Sequence, residues 1–415
     1  MYLYKIFLWL YPWIARCISP FNVKAKQWVK GQNEVWDEVN RLAPTIQKPI
    51  LWMHCASYGE FEQALPIIEN LKSTYPQYQI WLTFFSPSGY EHRKKDAAVD
   101  FITYLPFDSA KNANRFLNLV QPKLIVFIKY EFWYFYLQQA KQQKIPTILV
   151  SAIFRPGQIF FQFYGGFYKK ILTLFSSILV QDQSSYDLIK SIAPNISMEI
   201  TGDTRFDRVV QTAATLSKFE WIQKLSSNKI IIAGSTWNED HEMLAKAALQ
   251  LKKINWILVP HHVDPISIDQ CKAHFPNAIT LTELQNSHQH FTSPISIIID
   301  QIGLLRNLYQ YAFISYVGGG LGKDGVHNVL EPAAFGKPVI WGINDEKYIE
   351  AIGLRNALGG FQIKNTTEFI ELVQTFLAND PSYMEASSHA SKFISEHAGA
   401  TKKTMQFIKD HQLLT

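Results

Sequence analysis

Two carboxylates stand where an apolar run gives way to a polar turn. Glu60 closes the segment His54-Cys55-Ala56-Ser57-Tyr58-Gly59-Glu60, and Glu131 follows the apolar stretch 123–128 in Lys129-Tyr130-Glu131-Phe132-Trp133. A carboxylate in the first turn of a helix can take a proton from a hydroxyl, the work of a general base. The helix dipole should lower its pKa, which keeps it ionised and makes it a weaker base. The same letters have a second reading: Ser57 and Glu60 are spaced as a capping box, and Glu131 as a helix-start acid, so neither need touch a substrate. A third stretch, 311–342, opens with an apolar run, Ala312 to Val317, followed by Gly318, Gly319, Gly320, Gly322 and Gly325. Glycines at a strand's end let a ligand approach the main chain closely. The spacing predicts a helix over 326–335, with Asn328 and Glu331 on one face near its start, where an acid could accept two ribose hydroxyls or merely cap the turn.

The elements that must carry these residues alternate. Strands are expected at 50–54, 79–84, 101–105, 123–128, 146–151 and 177–181, with helices between them. The pattern resumes with strands at 229–233, 255–259, 295–299, 312–317 and 338–341, and a helix over 303–311. Short apolar strands alternating with helices read as parallel sheets covered on both faces. The stretch 261–296 gives weak signals, and 366–412 reads as helices with polar faces. The expectation is α/β, two Rossmann-like domains facing across a cleft. Their boundaries are set at 31–215 and 216–415, after a separate N-terminal segment, 1–30. Ligands should sit at strand carboxyl ends.

A chain of 415 residues with 47% apolar and 18% charged residues is globular, and two domains suit its length. Its net charge of +5 is modest and gives no reason to expect a nucleic-acid partner. Cys17, Cys55 and Cys271 are far apart and odd in number, which fits a reducing compartment and argues against a disulfide framework or zinc site.

Residues 2–18 are almost wholly apolar or aromatic, broken by Lys5, Pro12 and Arg16, and Lys24, Lys26 and Lys30 follow. The run is shorter than the ~20 apolar residues of a spanning helix. A signal peptide fits poorly, because Arg16 falls where a small-residue cleavage site belongs. Aromatics beside lysines suit a segment lying in the interface of an anionic bilayer, on its cytoplasmic face. A spanning helix or a packed core helix are the alternatives.

Taken in order, His54-x-x-Ser57-x-Gly59-Glu60, Glu131-x-Trp133, Gly202-Asp203-x-Arg205-Phe206-Asp207, Gly234-Ser235-Thr236-Trp237-x-Glu239-Asp240, and Val317-Gly318-Gly319 with His327-Asn328-x-x-Glu331-Pro332 resemble the bacterial 3-deoxy-D-manno-octulosonic acid (Kdo) transferases of lipopolysaccharide synthesis. The resemblance covers nearly the whole chain. It implies a GT-B glycosyltransferase that moves Kdo from CMP-Kdo to the lipid A precursor with inversion, at the cytoplasmic face of the inner membrane and without a dedicated metal or other cofactor. It makes Glu60 the general base and Glu131 and Arg205 transition-state stabilisers. It lays the nucleotide against Pro260, His261, Ile302, Gly303, Leu304, Asn328 and Glu331; the glycine loop adds Gly318 and Gly319. A helix opening at Gly303 would offer main-chain donors to a phosphate. Lys24, Lys26 and Lys30 would serve a phosphorylated glycolipid, and Arg93, Lys94 and Lys95 either join them or form a solvated face. Three departures stand out: His261 where the family has arginine, Arg205 in place of lysine, and Gln32 in place of a basic residue. Histidine is mostly neutral at pH 7, so nucleotide affinity is expected to be weaker, pH-dependent or carried by another residue. The alternatives are another GT-B enzyme using a UDP-sugar and a non-catalytic nucleotide binder at the membrane surface.

Overall fold

The computed structural model describes residues 1–414 apart from Lys95, Ala97, Leu216, His288 and Gln289. Lys95 of the basic group, Leu216 at the expected boundary and the terminal Thr415 therefore lie outside the described residues. The chain divides into two compact units, Met1–Arg208 with Ala398–Thr415, and Val209–His397.

The first unit is built on seven parallel strands: β1 (Ile50–Cys55), β2 (Gln79–Phe84), β3 (Phe101–Tyr104), β4 (Pro122–Ile128), β5 (Thr147–Ala152), β6 (Ser177–Val180) and β7 (Ser197–Ile200). Their order is β3-β2-β1-β4-β5-β6-β7. Side chains alternate across a strand, so one run feeds two cores. Ile50, Trp52, Ile125 and Phe127 pack on one face, and Leu51, Met53, Val126 and Ile128 on the other. Edge strand β7 is only partly covered.

The second unit repeats the plan with β8 (Ile230–Thr236), β9 (Asn255–Pro260), β10 (Ile279–Thr280), β11 (Ser296–Ile298), β12 (Ile314–Val317), β13 (Val339–Trp341) and β14 (Gly360–Gln362). Here the order is β10-β11-β9-β8-β12-β13-β14, again parallel. In each sheet the first strand sends later strands to both sides, so each has one switch point, β1/β4 in the first and β8/β12 in the second. Open α/β sheets bind ligands at the carboxyl ends of strands at such points.

The expected boundaries shift in three ways. Residue 30 falls inside one continuous helix, Val23–Leu42, and residues 1–30 belong to the first unit. The helix Tyr2–Ile18 is tied to that unit by Tyr4, whose hydroxyl donates to the buried Asp108 carboxylate at 2.5 Å and accepts from the Tyr134 N–H at 3.2 Å. The end of the chain, expected in the second domain, returns to the first unit. Phe407 and Ile408 of helix Ala400–Asp410 join the core around Phe61 and Leu65. Asp207 accepts from the Gly399 N–H at 2.5 Å, the Thr401 N–H at 2.6 Å and the Thr401 hydroxyl at 2.7 Å. Finally, the unassigned stretch 261–296 contains helices Pro265–His274 and Leu281–Asn286 as well as β10.

Candidate active site

At the β1/β4 switch point the ends of two adjacent strands bring His54, Glu60 and Glu131 together. A chain of donors fixes the histidine. Trp52 Nε1 donates to Thr83 Oγ1 at 2.8 Å, leaving the threonine hydroxyl to donate to His54 Nδ1, also at 2.8 Å. His54 Nε2 then carries its proton toward Glu131 Oε2 at 2.9 Å. Trp133 Nε1 donates to the same oxygen at 2.5 Å. Glu131 is only 6% exposed and precedes the helix Tyr134–Gln142 without entering it, so it is not a helix-start acid but a carboxylate held by imidazole and indole.

Glu60 lies in the first turn of helix Tyr58–Thr74, half-buried, and its Oε2 accepts from the Ser57 N–H at 3.0 Å. The capping contact expected from the letters is therefore present. The expected fall in pKa is not. Burial and the neighbouring Glu131 charge push the Glu60 carboxyl up to about 7, against the pull of the Ser57 and Ala56 N–H groups and Lys129. Desolvation and a like charge outweigh the dipole. A carboxylate titrating near the working pH is a far better proton acceptor than one held at the usual value.

Arg205 is brought to the first unit by the helix Thr204–Ala214. Its N–H and guanidinium both hold Asp203, with Nε at 2.8 Å from Oδ2. Thr204 Oγ1 donates to the Gln63 carbonyl at 2.7 Å and meets Ser151 Oγ at 3.1 Å, docking this helix on the Glu60 helix and β5. Glu62 adds a second tie, accepting from Arg93 at 3.0 Å and Arg208 at 3.1 Å. Arg93 also holds Asp96 and the Tyr58 hydroxyl, so it is a structural cation within the unit and not part of a solvated basic face. Gln32, too, is internal: its amide donates to the Leu105 carbonyl and accepts from the Phe107 N–H.

In the second unit the predicted residues gather at the carboxyl ends of β11, β9, β8 and β12, four neighbours in the sheet. The rings of Trp237, His261 and His327 lie nearly parallel, with His261 centred 4.6 Å from Trp237 and 4.4 Å from His327. Trp237 Nε1 donates to His327 Nε2 at 2.8 Å, which leaves the His327 proton on Nδ1. Burial, then His261, lowers the His327 pKa to about 4; burial, then His262, lowers that of His261.

The glycines do something other than expected. Gly318 donates its N–H to the Gly234 carbonyl, and Gly319, at φ +90°, donates to Asp240 Oδ2 at 3.0 Å. A Cβ on Gly318 would sit 2.4 Å from the Ser235 carbonyl oxygen, and one on Gly320 would sit 2.7 Å from Gly342 N. These positions let backbones approach one another, and the Gly318 and Gly319 donors are already engaged inside the protein. The clamp is Asp240, 1% exposed, which also accepts from the Trp237 N–H at 2.8 Å and the Tyr316 hydroxyl at 2.6 Å.

Both helices expected here are short. Pro332 has no N–H to donate to Asn328 and its ring would meet that carbonyl, so the helix runs only Leu330–Ala334. Asn328 is exposed and its Oδ1 accepts from the Leu330 N–H, while Glu331 lies 3.6 Å from Arg306 Nε. Gly303, at φ +88°, delays the other helix to Leu305–Leu308, a single turn with little dipole to offer. Ile302 is exposed, Leu304 partly covered, and Pro260 ends β9 in the core. Sequence reasoning assigned no role to Thr83, Arg306 or the Asp240 clamp; only the acid three residues after Trp237 was there to signal the last.

Two parallel seven-stranded Rossmann-like sheets, each with polar residues at its switch point, define the GT-B architecture. The fold aligns with a UDP-GlcNAc 2-epimerase from Neisseria meningitidis at a TM-score of 0.63 over 87% of this chain and 100% of that one, at 16% identity. Residues 33–208 match the family model described as 3-Deoxy-D-manno-octulosonic-acid transferase (kdotransferase). The chain is 31% identical over 343 residues to the 3-deoxy-D-manno-octulosonic acid transferase of Aquifex aeolicus, covering 80% of this chain and 87% of that protein. It is 28% identical over 342 residues to a bifunctional glycosyltransferase/methyltransferase of Fusobacterium nucleatum, covering 78% of this chain and about half, 52%, of that relative. The chain belongs to the Kdo transferase family, glycosyltransferases of lipopolysaccharide synthesis.

Proposed function

We propose that this protein transfers Kdo from CMP-Kdo to a sugar hydroxyl of the lipid A precursor, with inversion, using Glu60 as general base. The acceptor oxygen bonds to the anomeric carbon as the bond from that carbon to the CMP phosphate breaks; the hydroxyl proton passes to Glu60 and CMP leaves with the electron pair. The observation that carries the reading is the Glu60 carboxyl in a helix first turn, raised to about 7 by burial and Glu131. Glu131, held by His54 and Trp133, keeps that pKa high, and Arg205 supplies a fixed cation for developing negative charge. The His261–Trp237–His327 stack and the Asn328–Glu331 turn are the surfaces offered to the nucleotide base, ribose and phosphate, with the donor bound to the second unit.

The acceptor is a glycolipid, and helix Tyr2–Ile18 supports action at the cytoplasmic face of the inner membrane. Its inner side packs on the protein, while Leu3, Ile6, Trp9, Trp13 and Ile14 are all at least half exposed. No helix among the described residues is long and apolar enough to cross a membrane. An apolar outer stripe beside Lys24 and Lys26 suits an anionic interface.

The test is to supply CMP-Kdo and a tetra-acylated lipid A precursor to the purified protein and to Glu60→Gln, and to follow product mass. Glutamine keeps the capping contact, so a cap alone predicts full turnover. Loss of the base predicts a fall of ~10²–10⁴-fold with the circular dichroism unchanged. Undiminished turnover in this variant sinks the assignment.

A further inference from the structure

Helix Tyr134–Gln142 begins immediately after Trp133, the indole that donates to Glu131, yet it is not capped by its own stretch of chain. Trp133 occupies the N-cap position and its side chain makes no capping bond. The first three N–H groups of the helix turn elsewhere. Tyr134 donates to the Tyr4 hydroxyl, Phe135 to Asp108 Oδ2 and Tyr136 to Asp108 Oδ1, each at 3.2 Å. The Tyr4 hydroxyl in turn donates to Asp108 Oδ2 at 2.5 Å. Such donors at a helix start are commonly met by the N-cap side chain itself. Here residues 4 and 108 meet them, so the N-terminal helix Tyr2–Ile18 helps to set where this helix starts, and with it the seat of Glu131 and Trp133.

A second path reaches the same indole through rings. Trp133 packs on Phe85 with centroids 4.8 Å apart, Phe85 on Tyr11 at 5.6 Å, and Tyr11 stacks at 5.8 Å on Phe107, the chain neighbour of Asp108. Tyr4 and Tyr11 stand two helical turns apart, so both lie on the inner face of one helix. Packing alone does not account for a tyrosine at position 4. Tyr4 and Asp108 are both buried, and phenylalanine would pack on Tyr134 and Phe167 equally well. Hiding a hydroxyl and a carboxylate there costs desolvation. Burial pushes the Asp108 carboxyl up to about 6, against the pull of Tyr4 and the Phe135 and Tyr136 N–H groups. What the pair supplies is a fixed helix start beside Glu131.

We propose that Tyr4 and Tyr11 are positioning residues for the transfer reaction, holding the Glu131–Trp133 segment from the inner face of helix Tyr2–Ile18, Tyr4 through Asp108 and Tyr11 through Phe85. Neither touches a reacting atom. They keep the indole on the Glu131 carboxylate, and so keep that charge beside Glu60. The helix whose outer stripe is assigned above to the bilayer thereby sets the two carboxylates from its other side. The proposal rests on Glu60 as the base.

Purified full-length Tyr4→Phe and Tyr11→Leu are compared with the wild type for kcat, KM and the acid limb of kcat/KM, with CMP-Kdo and detergent-dispersed lipid A precursor. Each should lower kcat roughly ten- to a hundredfold while KM for CMP-Kdo, bound by the second unit, stays put. Glu60 faces Glu131 and Lys129 besides the Ser57 and Ala56 N–H groups, and neither substitution alters any of these residues. A Glu131 that swings away weakens the like charge, so the acid limb should move to lower pH. Loss of folded enzyme would instead scale kcat equally at every pH. Val39→Ala, a cavity in the core that Tyr4 shares, controls for that and should lower melting without moving the limb. A limb left in place by both variants overturns the proposal even where kcat falls; a shift in one alone keeps that path and strikes the other. Glu60→Gln is run beside them. If it loses turnover, an unmoved limb condemns the positioning alone; if it keeps full turnover, the base reading falls and this proposal with it.

Discussion

The two switch points share a topology and differ in everything else. Beside β1 and β4 the side chains are carboxylates, held by imidazole, indole and hydroxyl in a buried network around one half-open glutamate. Beside β8 and β12 the buried carboxylate of Asp240 faces inward to clamp backbone, and what remains outward is a row of flat rings. The carboxyl edge of the first sheet carries two non-glycine residues in the left-handed region, Lys129 at φ 64° and Ser151 at φ 54°, and that of the second carries Ser235 at φ 54°. Such strain collects where geometry matters more than local stability. The lesson is that a duplicated scaffold fixes where function sits and leaves its chemistry to the loop residues. An acid near a proton-transfer site must be free to titrate; an acid supporting a binding surface must not be.

The contrast is open to attack. Its largest consequence is the pairing of Glu60→Gln with Asp240→Ala. The first should lower turnover by ~10²–10⁴-fold with little change in melting. The second removes an acceptor for three buried donors and should cost about 3 kcal/mol of stability, lowering activity through the fold, as read by thermal melts and by donor titration. Equal melting losses for the two would erase the distinction.

The pH profile sharpens it. Glu60 acts when ionised, so kcat/KM should fall about tenfold per unit as pH drops below about 7. Glu131→Gln removes the like charge and should move that limb to lower pH. Stability runs the opposite way: the folded carboxyl keeps its proton above its ordinary value of 4.5, so this group's stabilising share is complete below 4.5 and is lost as pH rises through about 7. Urea titrations at pH 5 and 8 read that slope, and Glu60→Gln should flatten it.

The smallest effect belongs to His261→Arg. The imidazole is held neutral by burial and His262, so it contributes no full charge to a phosphate near pH 7. A guanidinium should tighten CMP binding by a few-fold, up to about tenfold, and remove any strengthening of binding by acid. No change would place the phosphate away from the ring stack.

How much of this was written in the letters depends on how local the cause is. Eleven of the fourteen strands were visible, because apolar runs such as Ile50 to Cys55 bury both faces and need no partner to be recognised; β7, β10 and β14, short and partly exposed at sheet edges, were not. Glu60, Glu131 and Arg205 were visible by motif. The environment of Glu60 was not, since its charged neighbour comes from another strand and its burial from the packed unit. The glycine loop misled for a similar reason. Gly318 and Gly320 answer to Ser235 and Gly342, and a one-dimensional reading sees room for a ligand where the fold has placed more backbone. Helix 326–335 should have been cut short from Pro332 alone, a strictly local cue.

The clasp of Asp207 on Gly399 and Thr401 makes the second unit an excursion in the middle of the first. During synthesis, the sheet that carries Glu60 must therefore wait for residues 400–410 to emerge before their helix can close over Phe61 and Leu65. Until then the nascent chain presents an unfinished core alongside the outward tryptophans of its first helix, two sticky surfaces at once. A bilayer that captures the tryptophans early would shield one of them, so membrane contact at birth would serve folding before it serves any substrate.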